Sequence, residues 1–116
     1  KIREAYHQWF TIYQTLPKTH RYSLGLRIDT LFIEGLESVT QAVFSDKKER
    51  LEMVGYGLRK IDTIKTLLAI LWEEKSIDNK KYANLIEKIE EVGRMLGGWL
   101  GQLRKQNSLA QMQERK

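Results

Sequence analysis

Glu91-Val92-Gly93-Arg94-Met95-Leu96-Gly97-Gly98-Trp99-Leu100-Gly101 carries four glycines within eleven residues, yet its apolar side chains keep helical spacing. A Gly inside a helix is disfavoured by about 1 kcal/mol relative to Ala, so four of them cost a few kcal/mol. That is a sizeable share of the net stability of a domain. Leu85, Ile89, Val92, Leu96, Trp99, Leu100 and Leu103 nevertheless fall on one face, and the register runs through the glycines without a break. The stretch therefore reads as one continuous amphipathic helix. Gly93, Gly97 and Gly101, spaced four apart, form a smooth ridge beside its core stripe. Two readings of that ridge stand: close approach of a neighbouring helix within the bundle, which is favoured, or a contact between subunits.

Working back from this helix, the same period recurs three times. Ile2, Ala5, Tyr6, Trp9, Ile12, Tyr13 and Leu16 form one buried stripe, and Pro17 stops that helix by disfavouring helical backbone in the residue before it. After a short turn over residues 16–21, a second helix runs from about Arg21 to Phe44. Its core stripe is Leu24, Ile28, Leu31, Phe32, Leu36, Val39 and Val43, and a second apolar line, Leu26, Ile33 and Phe44, lies nearly opposite. Large apolar residues off the core face predict an oligomer interface or a partner contact. Ser45 or Asp46 is the N-cap of a third helix, which extends to about Lys75 with a core face of Val54, Leu58, Ile61, Ile64, Leu68, Leu71 and Trp72. Asp78 caps the fourth. Beyond Lys105 the composition turns polar.

Four amphipathic helices joined by short turns predict an all-α, antiparallel up-down-up-down four-helix bundle over residues 1–105. Residues 106–116 are expected to be a polar, frayed tail. The chain has 116 residues, enough for one core. No apolar run reaches membrane length, so no membrane partner is expected. With no cysteine there is neither a disulfide framework nor a thiolate metal site, and the cytoplasm is the default location.

Catalysis finds little support. The two histidines, His7 and His20, sit on different segments, and no Glu-x-x-His motif of the di-iron bundles occurs. Glu87, Glu90 and Glu91 read as a solvated face with Lys88 and Arg94 as helical partners. Gly93-x-x-x-Gly97-Gly98 lacks the Lys-Ser/Thr of a phosphate-binding loop and lies within a helix. No catalytic residue, metal site or cofactor is assigned.

Charge is the more informative property. Twenty Lys and Arg against fifteen Asp and Glu give a net charge of +5, which tilts the expectation toward polyanionic partners, since such side chains release counterions from a phosphate backbone. The cations fall into three groups: Lys18, His20 and Arg21 in the first turn with Arg27 beyond it; Arg59, Lys60 and Lys65 on the third helix; Arg94, Arg104 and Lys105 on the fourth. Up-down topology puts the first and third turns at the same end. Lys65, beside the core stripe, is either a lysine whose stem lies along the core edge or a contact to phosphate or an acidic surface. Trp9, Trp72 and Trp99 all fall on core faces.

Several segments occur together in order: Leu16-Pro17-Lys18, Arg21-Tyr22-Ser23-Leu24-Gly25, Leu58-Arg59-Lys60-Ile61-Asp62 with Ile64-Lys65, and Glu91 through Trp99. In this combination the chain resembles the accessory variability determinant (Avd) proteins of diversity-generating retroelements. These lie within a wider four-helix-bundle family that includes proteins encoded in intervening sequences of large ribosomal RNA genes. The resemblance spans about Tyr6 to Lys105. It implies a non-enzymatic bundle assembled as a homopentameric barrel, with the retroelement reverse transcriptase and RNA or DNA as partners. Lys18, Arg21, Lys65 and Arg94 match the family's basic pattern; Arg59, Lys60, Arg104 and Lys105 match it more weakly.

Overall fold

Pro17 and the two acidic caps set the boundaries seen in the computed structural model, which describes residues 1–114. Helix α1 spans Ile2–Thr15 and ends where Leu16, before the proline, turns extended (φ −65°, ψ 144°). A helical turn at Lys18–His20 and a π turn at Arg21–Gly25 lead into α2, Leu26–Phe44. The π turn winds tightly against α1. A Cβ on Gly25 would lie 2.8 Å from Leu16 Cδ1 and 3.1 Å from the His20 carbonyl oxygen, which only glycine avoids.

Asp46, of the two candidate caps, is the one that acts: its carboxylate accepts from the Glu49 N–H at 2.9 Å and opens α3, Lys47–Glu73. At the far end of α3, Lys75 adopts a left-handed conformation (φ 63°). The Ser76 N–H reaches the Leu71 carbonyl at 2.9 Å and the Lys75 N–H reaches that of Trp72 at 3.0 Å, a Schellman closure. Asp78 then caps α4, Asn79–Glu114, by accepting from the Lys81 N–H at 2.8 Å. Every regular element among the described residues is helical, and the four main helices form an all-α bundle.

The core stripes of α1 and α4 fall where the periodicity puts them. Ala5, Trp9, Ile12 and Leu16 meet Leu85, Ile89, Val92 and Leu96 in one buried cluster with Ile28, Leu31, Phe32, Ile61, Ile64 and Leu68. Tyr6 and Trp9 both donate to Asp29 Oδ1, at 2.9 and 3.3 Å, tying α1 to α2.

The second half of α2 departs from expectation. Gly35, Ser38 and Ala42 face the core there, while Val43 is 55% exposed. Val39 packs against the core as the periodicity expects, but Val43 does not; Gly35, Ser38 and Ala42 turn inward in its place, opposite Gly57 of α3. A Cβ on Gly57 would lie 3.5 Å from Val39 Cγ2, 3.8 Å from Ser38 Cβ and 3.9 Å from the Gly35 carbonyl oxygen. These are ordinary contact distances, so α2 and α3 face each other through small residues at Gly57 but their spacing does not require glycine there.

The ridge of α4 requires glycine no more than Gly57 does. A Cβ on Gly97 or Gly101 would meet nothing within 4 Å, and one on Gly93 would meet only Lys65 and Ile61 at ordinary contact distance. The favoured reading of the ridge as an intrachain packing device is therefore corrected for Gly97 and Gly101. Trp72 is a second correction. It stands 40% exposed at the end of α3, stacked on Tyr82 (ring centroids 4.7 Å apart) and donating to Asn79 Oδ1 at 2.7 Å.

The helices differ greatly in length. Helix α4 does not end at Lys105 but continues through Glu114, consistent with a run free of Gly and Pro and rich in good helix formers; the last two residues of the expected tail lie outside the described part. At 1.5 Å per residue α4 is about 54 Å long, which accounts for the 60 × 21 × 19 Å dimensions. Helix α1, with 14 residues, reaches only about 21 Å. Its first residue, Ile2, lies 3.8 Å from where a Cβ of Gly35 would be, in the middle of α2. Four helices therefore surround the core at the end bearing the first and third turns, and three at the other.

Candidate nucleic-acid and partner interface

The two turns expected at one end do meet: His20 Nδ1 and Ser76 Oγ are 2.5 Å apart. Lys18 is exposed beside them. Arg21, grouped with Lys18 by sequence, behaves differently. Its Nη2 donates to the carbonyl oxygens of Leu16 at 2.9 Å and Gln14 at 3.2 Å, and its Nε is shut away from solvent without an acceptor. The guanidinium thus caps the C-terminal end of α1, whose last carbonyls lack intrahelical donors. Arg50, which apolar patterning passes over, does the same for α2, donating to Ala42 and Ser45 carbonyls at 2.9 Å each. A lone arginine just past a polar helix break is the signal that could have marked it.

Three further cations are held by carboxylates. Glu34 lies 3.9 Å from Arg27 and 3.6 Å from Lys60. Lys60 also sits over the Tyr56 ring, 4.5 Å from its centroid. The Tyr56 contact first, and the Glu34 charge in addition, hold the Lys60 ammonium above the ordinary lysine range against the opposing effect of burial. Lys65 is 3.9 Å from Asp62, and its Nζ occupies the space beside Gly93, 3.5 Å from where a Cβ would be. The neighbour that this ridge glycine meets is therefore a lysine, at a distance an alanine would also accept.

Arg59, Arg94, Arg104 and Lys105 remain exposed, with no carboxylate within 4 Å among the described residues. Arg94 and Lys105 share the outer face of α4 with Gly97, Gly98 and Gly101. Arg59 and Arg104 come from different helices and line one groove of about 590 Å³. The predicted oligomer line on α2 is also open: Leu26 is 48%, Ile33 42% and Phe44 85% exposed. Exposed Tyr22 extends it by one turn. Among the described residues no three His, Cys, Asp or Glu side chains are grouped to hold a metal ion, and no helix is long and apolar enough to cross a membrane.

An all-α bundle with an open apolar line on one helix and uncommitted arginines on two others defines a class of protein built from surfaces. A family model described as bAvd-like matches residues 1–103, and the chain belongs to that family, consistent with an accessory variability determinant protein. Members of it are accessory proteins and not known enzymes. No curated protein and no solved structure matches the chain.

Proposed function

We propose that this protein is a non-enzymatic accessory factor of a diversity-generating retroelement, which binds the reverse transcriptase and nucleic acid and supports mutagenic retrohoming. Membership of the bAvd-like family over residues 1–103 carries this reading. The mechanism is electrostatic and geometric: cations on several protomers sum to a field that holds template RNA or cDNA by its phosphates without reading bases. Arg59, Arg94, Arg104 and Lys105 are the side chains best placed to contribute, since among the described residues no carboxylate lies within 4 Å of any of them and the one contact of Arg59 is the Tyr56 ring, 5.9 Å from its centroid.

Charge reversal at Arg59, Arg94 and Arg104 is expected to weaken reverse-transcriptase pull-down and RNA gel-shift affinity, and to flatten the dependence of affinity on salt, while leaving helicity intact. Unchanged affinities at moderate salt would remove the basis for it. Such a factor works as a homo-oligomer, with the pentamer of the family resemblance as the proposed state and the Leu26–Ile33–Phe44 line as the subunit contact.

The same exposed line supports a second reading, a structural oligomer or protein-interaction module without a reverse-transcriptase partner. Salt-independent association would favour it. In both readings Leu26→Glu or Ile33→Glu yields a smaller species by light scattering, and a wild-type monomer at high micromolar concentration sinks the assembly.

A further inference from the structure

The groove shared by Arg59 and Arg104 runs across the outer side of α3, between α2 and α4. It exists because Gly55 leaves its floor bare. A Cβ there would stand 3.6 Å from Arg59 Nη1 and 3.9 Å from Leu100 Cδ1, so a methyl group fits and a larger side chain fills the space. Arg59 thus folds back one turn along its own helix to lie over Gly55. Arg104 follows Leu100 by one turn on α4, and helical side chains lean toward the N-terminus, which brings its guanidinium toward the same place. Two cations from two helices line one concave surface. The other polar side chains of the lining are Ser38, Gln41, Glu52 and the phenol of Tyr56. Glu52 starts about 5 Å along the axis from Gly55, over which the Arg59 guanidinium lies, and it leans toward the start of α3. Leu100 and the Tyr56 ring supply apolar surface among these groups, with the Arg59 guanidinium 5.9 Å and the Lys60 ammonium 4.5 Å from the ring centroid.

The volume falls within the range of about 300–1,000 Å³ usual for small-ligand sites. Two arginines, an aromatic ring beside a leucine, and a carboxylate acceptor in one groove match one kind of unit: a phosphate joined to a planar base whose edge donates hydrogen bonds. We propose that this groove takes a single nucleotide unit of an unpaired strand, with its phosphate between Arg59 and Arg104 and its base across Tyr56 and Leu100. Glu52 repels the phosphate from its own side of the groove and so sets the direction of the unit. A base inside a duplex cannot enter, because its edge is paired and its faces are stacked. The groove therefore gives the protein a preference for single strands. This inference rests on the nucleic-acid part of the proposed function and adds the strand state that it recognises.

The test measures fluorescence anisotropy of a short labelled oligocytidylate, alone and as a duplex with its complement, at fixed moderate salt. Gly55→Leu keeps every charge and fills the groove; it is expected to lower single-strand affinity about tenfold and leave duplex affinity unchanged. The Arg59→Gln/Arg104→Gln double variant, altered only at exposed positions, is expected to lose single-strand preference as well, with circular dichroism reporting retained helicity in both. Single-strand binding by both variants equal to wild type overturns the groove while leaving the broader reading standing. Wild type that binds duplex as tightly as single strand also overturns it. Wild type that binds neither overturns the nucleic-acid reading itself. Loss of reverse-transcriptase capture with unaltered oligonucleotide affinity assigns the groove to a protein carboxylate and rejects the proposal.

Discussion

Arg21 shows how one residue can satisfy a sequence pattern and serve another purpose. Its position beside Lys18 and His20 suggested a phosphate contact, yet its guanidinium is spent on the Leu16 and Gln14 carbonyls. Arg21→Ala is expected to lower stability by about 1–3 kcal/mol, the usual loss for charge-assisted hydrogen bonds to partly buried groups, read as a shifted urea midpoint at unchanged slope. Lys18 beside it, exposed in the turn, is expected to tolerate the same change. Tyr6 offers a second residue-level check. Burial foremost, then its hydrogen bond to Asp29 and that carboxylate's charge, push the phenol up to about 12 from 10.0. A raised folded-state pKa means the folded protein holds its proton longer than the unfolded chain. The associated stability is thus complete below pH 10 and is lost as the pH climbs toward 12. A pH titration of tyrosinate absorbance is expected to show one tyrosine ionising late, and Tyr6→Phe removes that step.

At the scale of elements, apolar spacing made helices α1, α3 and α4 and the second apolar line of α2 legible, because a single face must be dry along their length. The inward face of α2 beyond Phe32 was legible only in part: Val39 packs against the core as its spacing says, while Val43 stays out. Hydrophobic periodicity weighs Val43 above Gly35, Ser38 and Ala42, and it carries no information about Gly57 of the neighbouring helix, which those small residues face. The α4 glycines misled for the complementary reason: their spacing signals close approach, but spacing does not say whether a neighbour comes. With open space at Gly97 and Gly101, Ala at either is expected to raise stability by about 1 kcal/mol through helix propensity, measured by thermal or urea unfolding. A loss of stability in the oligomer, with the gain kept in a Leu26→Glu background, would place the ridge in a subunit contact. Of the candidate site, the charges were legible as residue types, but their commitments were not. Arg21, Arg27, Lys60 and Lys65 are engaged by carbonyls or carboxylates that lie up to twenty-six positions away, as Glu34 does from Lys60.

For the whole molecule, the decisive fact is the mismatch between a 14-residue α1 and a 36-residue α4. Cooperativity cannot be uniform along such a rod. Where Trp9, Phe32, Ile64 and Ile89 are enclosed by four helices, opening a backbone amide requires disrupting the whole core. Past Ile2, fewer buried neighbours stand in the way, and local opening is cheaper. Native-state hydrogen exchange is expected to show slow amides over residues 61–71 and 85–96 and faster ones over 48–57 and 101–112. Equal protection along α3 and α4 would mean that another surface covers the narrow end. That end is also where Gly55, Arg59 and Arg104 lie. The rigid half of the protein is therefore a handle, and the groove lies in the softer half, so a ligand that fills it is expected to raise amide protection there first.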